Sequence, residues 1–172
     1  MSTVCAMISH RSRPPQLNGN KDMNGTTLAQ GQAFASRAEI SKLLGGNAQS
    51  GITLASKTKA ILLFKNEKEL YSDYFYPKGS YDHCMYTGIG RTGHQDSLEN
   101  KMYDLNTAVL SHKKQGRPLL LFDKKNGSYH FIGEYELTET HQNIQPDDNH
   151  SLRRVFVFHL KKVSDFIELI FD

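Results

Sequence analysis

Three glycines in six residues, at Gly88, Gly90 and Gly93, fall between an aromatic, strand-like segment and an amphipathic segment. A run that dense in glycine is neither a helix interior nor a central strand, because each glycine loses more backbone freedom on ordering than any other residue. The chain must therefore fold as strand, tight loop, helix over this region, with Arg91, His94 and Gln95 carried on the loop. Loops held by a rigid scaffold commonly meet ligands. The spacing Gly88-Ile89-Gly90-Arg91-Thr92-Gly93 fits the regular expression of a dinucleotide-binding turn, but no alternating βαβ series flanks it.

Around that loop, the residues divide into short elements. Ser36 followed by Glu39 has the spacing of a capping box, with Ile40, Leu43 and Leu44 as the apolar face and Gly45-Gly46 as the stop. Gly51-Ile52-Thr53-Leu54 reads as a short strand, and the continuous apolar run Ala60 to Phe64 as a buried one. Tyr71 to Tyr76 is an aromatic strand closed by Pro77, and Tyr81 to Tyr86 leads into the glycines. A helix is expected from Ser97 to Gln115, with Leu98, Met102, Leu105 and Val109 buried and Asp96 or Ser97 as its cap. Leu119 to Phe122 and Tyr129 to Leu137 flank Asn126-Gly127, the strongest hairpin signal in the chain. The polar stretch Thr138 to Ser151 reads as a loop, Arg153 to Leu160 as a strand, and Phe166 to Phe171 as a last strand or helix.

These elements predict an α+β domain: a curved, mostly antiparallel β-barrel with two or more flanking helices, over residues 35–172. Residues 1–34, punctuated by Pro14-Pro15, Asn18-Gly19 and Asn24-Gly25 and carrying Arg11, Arg13 and Lys21, read as a flexible basic leader. No apolar run is long enough to span a membrane, and Cys5 and Cys84 lie in unlike contexts without a CxxC spacing. No disulfide framework and no structural zinc are expected, and a reducing cytoplasm fits. A net charge of +3 permits a nucleic-acid partner without the excess of a non-specific DNA coat.

No catalytic constellation emerges. Asp123 and Glu134-Tyr135-Glu136 lack the lysine that a metal-dependent nuclease strand needs. His141, His150 and His159 lack the spacing of a histidine metal motif, and His83, next to Cys84 on a strand, points to the other face. No metal and no cofactor are expected. Binding signals are richer. Tyr71, Tyr74, Phe75, Tyr76, Tyr81 and Tyr86 fall within sixteen residues, and aromatic faces stack bases. Lys78, Arg91, Lys101, Lys113, Lys114, Arg117, Arg153 and Arg154 offer phosphate contacts.

Tyr86-Thr87-Gly88-x-Gly90, then Gly93-x-Gln95, then Asn106-x-Ala108-x-Leu110 on a helix, resembles the SET-and-RING-associated (SRA) domain of the PUA superfamily. The likeness is nearest to SRA-like domains of bacterial modification-dependent HNH restriction systems. Leu44-Gly45-Gly46, Gly116-Arg117-Pro118-Leu119, Ile132-Gly133-Glu134-Tyr135 and Arg153 to Leu160 extend it over roughly residues 36–163. The resemblance implies a module that reads modified cytosine, 5-methyl or 5-hydroxymethyl, in double-stranded DNA by base flipping. Such a module is the specificity part of a type IV restriction system in phage defence, with any nuclease in another domain or subunit. It implies a base pocket at Tyr86 and Thr87 with a second aromatic near Tyr74 to Tyr76, and backbone or groove contacts from Arg91, Thr92, His94, Gln95, Lys78 and Arg117. The family's acid after the upstream aromatic is replaced here by Pro77-Lys78, leaving Asp73 and Asp82 as substitutes. The other readings are a PUA-like module for RNA or a nucleotide, and a protein-interaction domain with a vestigial pocket.

Overall fold

A computed structural model describes residues 24–66 and 73–172. Ten strands and two helices follow in the order β1 (Gly25–Ala29), β2 (Ala33–Phe34), α1 (Arg37–Leu44), β3 (Ile52–Leu54), β4 (Ile61–Lys65), β5 (Tyr74–Tyr76), β6 (His83–Thr87), α2 (Tyr103–Leu110), β7 (Leu119–Lys125), β8 (Ser128–Pro146), β9 (Leu152–Ser164) and β10 (Phe166–Ile170). The main sheet runs β3-β4-β7-β8-β9-β6-β5, with β2 also on β8, and β1 pairs with β10 separately. Every pairing is antiparallel except β4 with β7. The sheet ends at β3 and β5, which are not hydrogen-bonded to each other, so the expected closed barrel is not formed among the described residues.

The two central strands carry the core on both faces. Ile61, Leu63, Leu119 and Leu121 pack with Ile52, Tyr86, Val109, Phe156 and Phe158. Leu62, Phe64, Leu120 and Phe122 pack on the opposite side with Leu28, Ile40, Leu44 and Phe131. Burial on both sides is why these strands are continuous apolar runs and not alternating ones. The α1 cap forms as expected: Ser36 Oγ accepts from Glu39 N at 3.2 Å, and Glu39 Oε2 accepts from Ala35 N at 2.7 Å. Asn126 and Gly127 take φ of 51° and 82°, the doubly positive turn that matches the twist of the β7–β8 hairpin.

Three expectations are corrected. The leader's expected end at residue 34 falls inside folded structure, because β1 is held by β10 from Gly25↔Ile170 to Ala29↔Phe166; residues 1–23, with Arg11, Arg13, Lys21 and Cys5, lie outside the described residues. The second helix is Tyr103–Leu110 and not Ser97–Gln115. Asn100 stops it from starting earlier: its Nδ2 donates to the carbonyls of Thr92 and His94, and its Oδ1 accepts from Met102 N at 3.0 Å. Such side-chain bonds offer the backbone an alternative to helix, and Leu98 is left 81% exposed. Finally, the polar stretch from Thr138 continues β8 as far as Pro146, paired with β9 down to Pro146↔Leu152.

His112 follows α2 and ties it to the sheet. Its Nδ1 lies 2.9 Å from Arg117 O and its Nε2 accepts from Leu137 N at 3.1 Å. That pattern requires the neutral ring, and burial lowers its pKa accordingly.

Candidate nucleic-acid interface

At the end of β4, a cleft of about 400 Å³ opens between three loops. Asn47, Gln49, Ser50 and Gly51 form one wall, Phe64, Asn66 and Asp73 a second, and Ile89, Gly90, Arg91 and Met102 a third, with Tyr86 at the floor. The volume falls in the range of small-molecule sites. Its lining mixes apolar side chains, Ile89 and Met102 among them, with amide, carboxylate and guanidinium groups.

The floor is rigid. Tyr86 is 1% exposed and its hydroxyl is set against Gly51 O at 2.8 Å and Phe64 O at 3.0 Å, which joins β6 to the neighbouring wall. Burial pushes its pKa well up, so it stays a neutral phenol. Arg37, at the start of α1, braces the first wall: Nη2 donates to Asn47 O at 3.0 Å and Ser50 O at 2.7 Å, and its guanidinium lies 3.3 Å from the Phe64 ring centroid. Asp73 is oriented by Thr87, whose backbone N donates to Oδ1 at 2.7 Å.

The glycine loop is clamped by two buried amides. Gln95 Nε2 donates to Gly88 O at 2.6 Å and its Oε1 accepts from Phe156 N at 2.9 Å. Asn106, on α2, receives Ile89 N and donates to Ile89 O, both at 2.8 Å. A Cβ on Gly88 would stand 2.6 Å from Gln95 Oε1 and 2.9 Å from Asn106 Oδ1, so this glycine is required by close approach. Beneath the loop, Arg153 is 2% exposed and donates through Nη1 to the carbonyls of Gly90 and Gly93. Asp147 receives Gly93 N, Asn149 N and Ser151 N, and the Ser151 amide is the first of the backbone donors that lower its pKa. Arg91 Nε meets Asp148 Oδ2 at 2.5 Å, which ties the rim of the cleft to the β8–β9 hairpin.

Of the residues expected from sequence, Tyr86, Asp73 and Arg91 meet at the cleft, and Thr87, 3% exposed, supports it through its backbone. Thr92 and His94 stand exposed on the glycine loop, and His94 Nδ1 accepts from Arg154 N at 3.0 Å. Gln95 is 0% exposed and both ends of its amide are used, so it is a loop clamp and not a surface contact. Tyr74 and Tyr76 do not line the cleft. They sit opposite Met85 and His83 in the ladder, whereas Phe75 sits opposite Cys84, which shares the core face with Tyr86. Directly opposed residues share a face and neighbours alternate, so Tyr74 and Tyr76 lie on the outer face, where Tyr76 stacks on His83 at 4.9 Å. Asp82 and Lys78, both exposed, lie in the β5–β6 turn, at the far end of that hairpin from Asp73 and Tyr86. Arg117 contacts Lys59 O at 3.4 Å, beyond the opposite end of β4 from the cleft. Tyr71 lies outside the described residues. Nothing in the local spacing of Phe64, Asn66, Ile89 and Met102 marks them as site residues; they meet only through the fold.

Among the described residues, no helix is long and apolar enough to cross a membrane. No curated protein matches the chain. Among solved structures, the Type IV phosphorothioation-dependent restriction endonuclease ScoMcrA superposes with a TM-score of 0.62 at 24% identity, over 78% of this chain and 28% of its own. The chain thus spans under a third of that protein's length. The SRA domain of SUVH5 in complex with methylated CHH DNA gives 0.57 at 19% identity, over 83% of this chain and 94% of its own. The DNA modification-dependent restriction endonuclease AspBHI gives 0.57 at 13%, over 75% and 69%. These likenesses carry the fold. The family model described as "ScoMcrA-like, SRA domain" matches residues 30–168, and the chain belongs to that family.

Proposed function

We propose that this domain binds double-stranded DNA containing a modified cytosine and takes the flipped base into the cleft above Tyr86. One observation carries the reading: an oriented carboxylate, Asp73, shares a cleft of about 400 Å³ with an aromatic floor and an amide-rich rim. A carboxylate accepts hydrogen bonds only, and the exocyclic amine of cytosine supplies two donors. Gln49 and Asn66 offer both donors and acceptors for the remaining polar edge, whereas Asn47 Oδ1 already receives Gln49 N and Ser50 N. Ile89, Met102 and Tyr86 provide apolar surface for a substituent at carbon 5. Arg91, Thr92 and His94 stand on the exposed loop beside the cleft, where a phosphate backbone would pass.

Magnitudes favour an enclosed pocket over a groove contact. Burying one methyl group is worth about 0.8 kcal/mol, roughly a fourfold preference. Extruding the base costs a few kcal/mol. A shaped pocket discriminates a single methylene by about ten- to two-hundredfold, which burial alone does not reach. The relatives named above support modified DNA as the ligand class, since their solved complexes include phosphorothioated DNA for ScoMcrA and methylated DNA for SUVH5. Cleavage, in this reading, belongs to another domain or a partner subunit of a modification-dependent restriction system.

Competition binding tests the proposal. One duplex is prepared with cytosine, 5-methylcytosine, 5-hydroxymethylcytosine or a phosphorothioate linkage, at one stated salt concentration. A preference of about tenfold or more for a duplex with a modified cytosine is expected. Equal affinity for all four, or a preference for the phosphorothioate alone, overturns it.

A further inference from the structure

On the outer face of the sheet, away from the cleft, two histidines from neighbouring strands aim ring nitrogens at one another. His141 Nδ1, on β8, lies 2.6 Å from His159 Nε2, on β9, with ring planes at 77°. Glu139 sits directly opposite His159 in the ladder, and its Oε2 lies 4.0 Å from the other nitrogen of that ring, Nδ1. His141 and Glu139 are exposed, and the His159 side chain is 19% exposed. We propose that His141 and His159 form a bidentate site for a divalent transition cation, with Glu139 as the carboxylate whose charge lies beside it.

The chemistry of the donors selects the cation. Imidazole nitrogens suit copper, nickel and zinc and are poor ligands for magnesium or calcium. At 4.0 Å the Glu139 carboxylate is too far to hydrogen-bond Nδ1 and acts on the ring, and on a bound cation, through its charge. With metal–nitrogen bonds of about 2.0 Å, cis positions of a square-planar ion set two nitrogens about 2.8 Å apart, and tetrahedral positions set them about 3.3 Å apart. The observed 2.6 Å is a hydrogen-bond contact, shorter than either, so an entering ion displaces the shared proton and parts the two rings. Among the ions that suit imidazole, the general affinity order places Cu²⁺ first. Both ligands stand on paired strands, which fix their separation better than loops would. Among the described residues, no group of three or more histidine, cysteine, aspartate or glutamate side chains is gathered for a metal, so the remaining positions fall to water or to a donor from another molecule. The alternation of β9 puts His159 on the face opposite Phe158, which packs with Tyr86, so an occupied site leaves the cleft open.

The test is calorimetric titration of the full chain with Cu²⁺ and with Zn²⁺, alongside electron paramagnetic resonance of the Cu²⁺ form. Cu²⁺ should bind more tightly than Zn²⁺, with a spectrum showing two coordinated nitrogens. His141→Ala and His159→Ala should each weaken Cu²⁺ at least tenfold and leave one nitrogen in the spectrum. Glu139→Gln should weaken it about tenfold with both nitrogens retained. Because His141 and Glu139 are exposed, those variants are expected to fold as the parent does, and circular dichroism checks it. Cu²⁺ affinity unchanged in both His141→Ala and Glu139→Gln overturns the site, as does a parent chain that takes up no Cu²⁺.

Discussion

Replacing Gln95 with leucine should cost about 2–5 kcal/mol of folding stability, a large part of the 5–15 kcal/mol a typical domain has. Leucine removes the donor to Gly88 O and the acceptor for Phe156 N in one step. Neither orphaned group is placed to recover a bond from solvent, because residue 95 is fully buried and the carbonyl and amide it serves lie under the same loop. Each buried polar group left without a partner costs about 1–3 kcal/mol. The loss should appear in urea denaturation as a lower midpoint with an unchanged slope, since the surface exposed on unfolding barely alters. A loss below about 0.5 kcal/mol would mean that Gln95 is replaceable and that Asn106 and Arg153 alone hold the glycine loop.

The second large effect is on binding. Asp73→Asn keeps an acceptor for Thr87 N but exchanges the charged carboxylate for a neutral amide. A hydrogen bond to a charged group is worth about 1.5–3 kcal/mol, so affinity for a duplex with modified cytosine should fall roughly ten- to a hundredfold. Affinity for the unmodified duplex, held by phosphate contacts, should change little. The contrast with Arg91→Ala is diagnostic: loss of a rim cation should weaken all duplexes together. If Asp73→Asn also weakens them all together, Asp73 is not the group that reads the base edge.

Local signals in the sequence led to local structure. Ser36 with Glu39 marks the start of α1, the run Ala60 to Phe64 marks a buried strand, and Asn126-Gly127 marks the β7–β8 turn. What stayed hidden depends on partners far away in sequence. β1 belongs to the fold because β10 pairs with it, across most of the chain, and because Leu28 reaches the core. The outer half of β8 is polar on both faces and is a strand because β9 provides its ladder. The same limit governs the site. Tyr86, Thr87 and the glycines were legible as one unit, and the aromatic density upstream drew Tyr74 and Tyr76 into the same pocket. Only the register of β5 against β6 separates the faces, since a one-residue slip exchanges them. Gln95 looked like a surface contact because an amide in a polar loop usually is one, and its burial follows from its reach to Phe156 on β9. His141 and His159 likewise lack any motif spacing and meet only across the β8–β9 ladder.

Two methionines make the central claim directly measurable. Met102 lines the cleft, whereas Met85 sits on the outer face opposite Tyr74 and His159. In a spectrum of the protein labelled with carbon-13 at its methionine methyl groups, titration with the 5-methylcytosine duplex should shift Met102 strongly and leave Met85 nearly in place. A contact between the Met102 methyl and the 5-methyl group of the base would locate the base inside the cleft. Binding of that duplex with Met102 unmoved and Met85 shifted would contradict the account, because the nucleic acid would then lie on the face that carries Tyr74 and Tyr76.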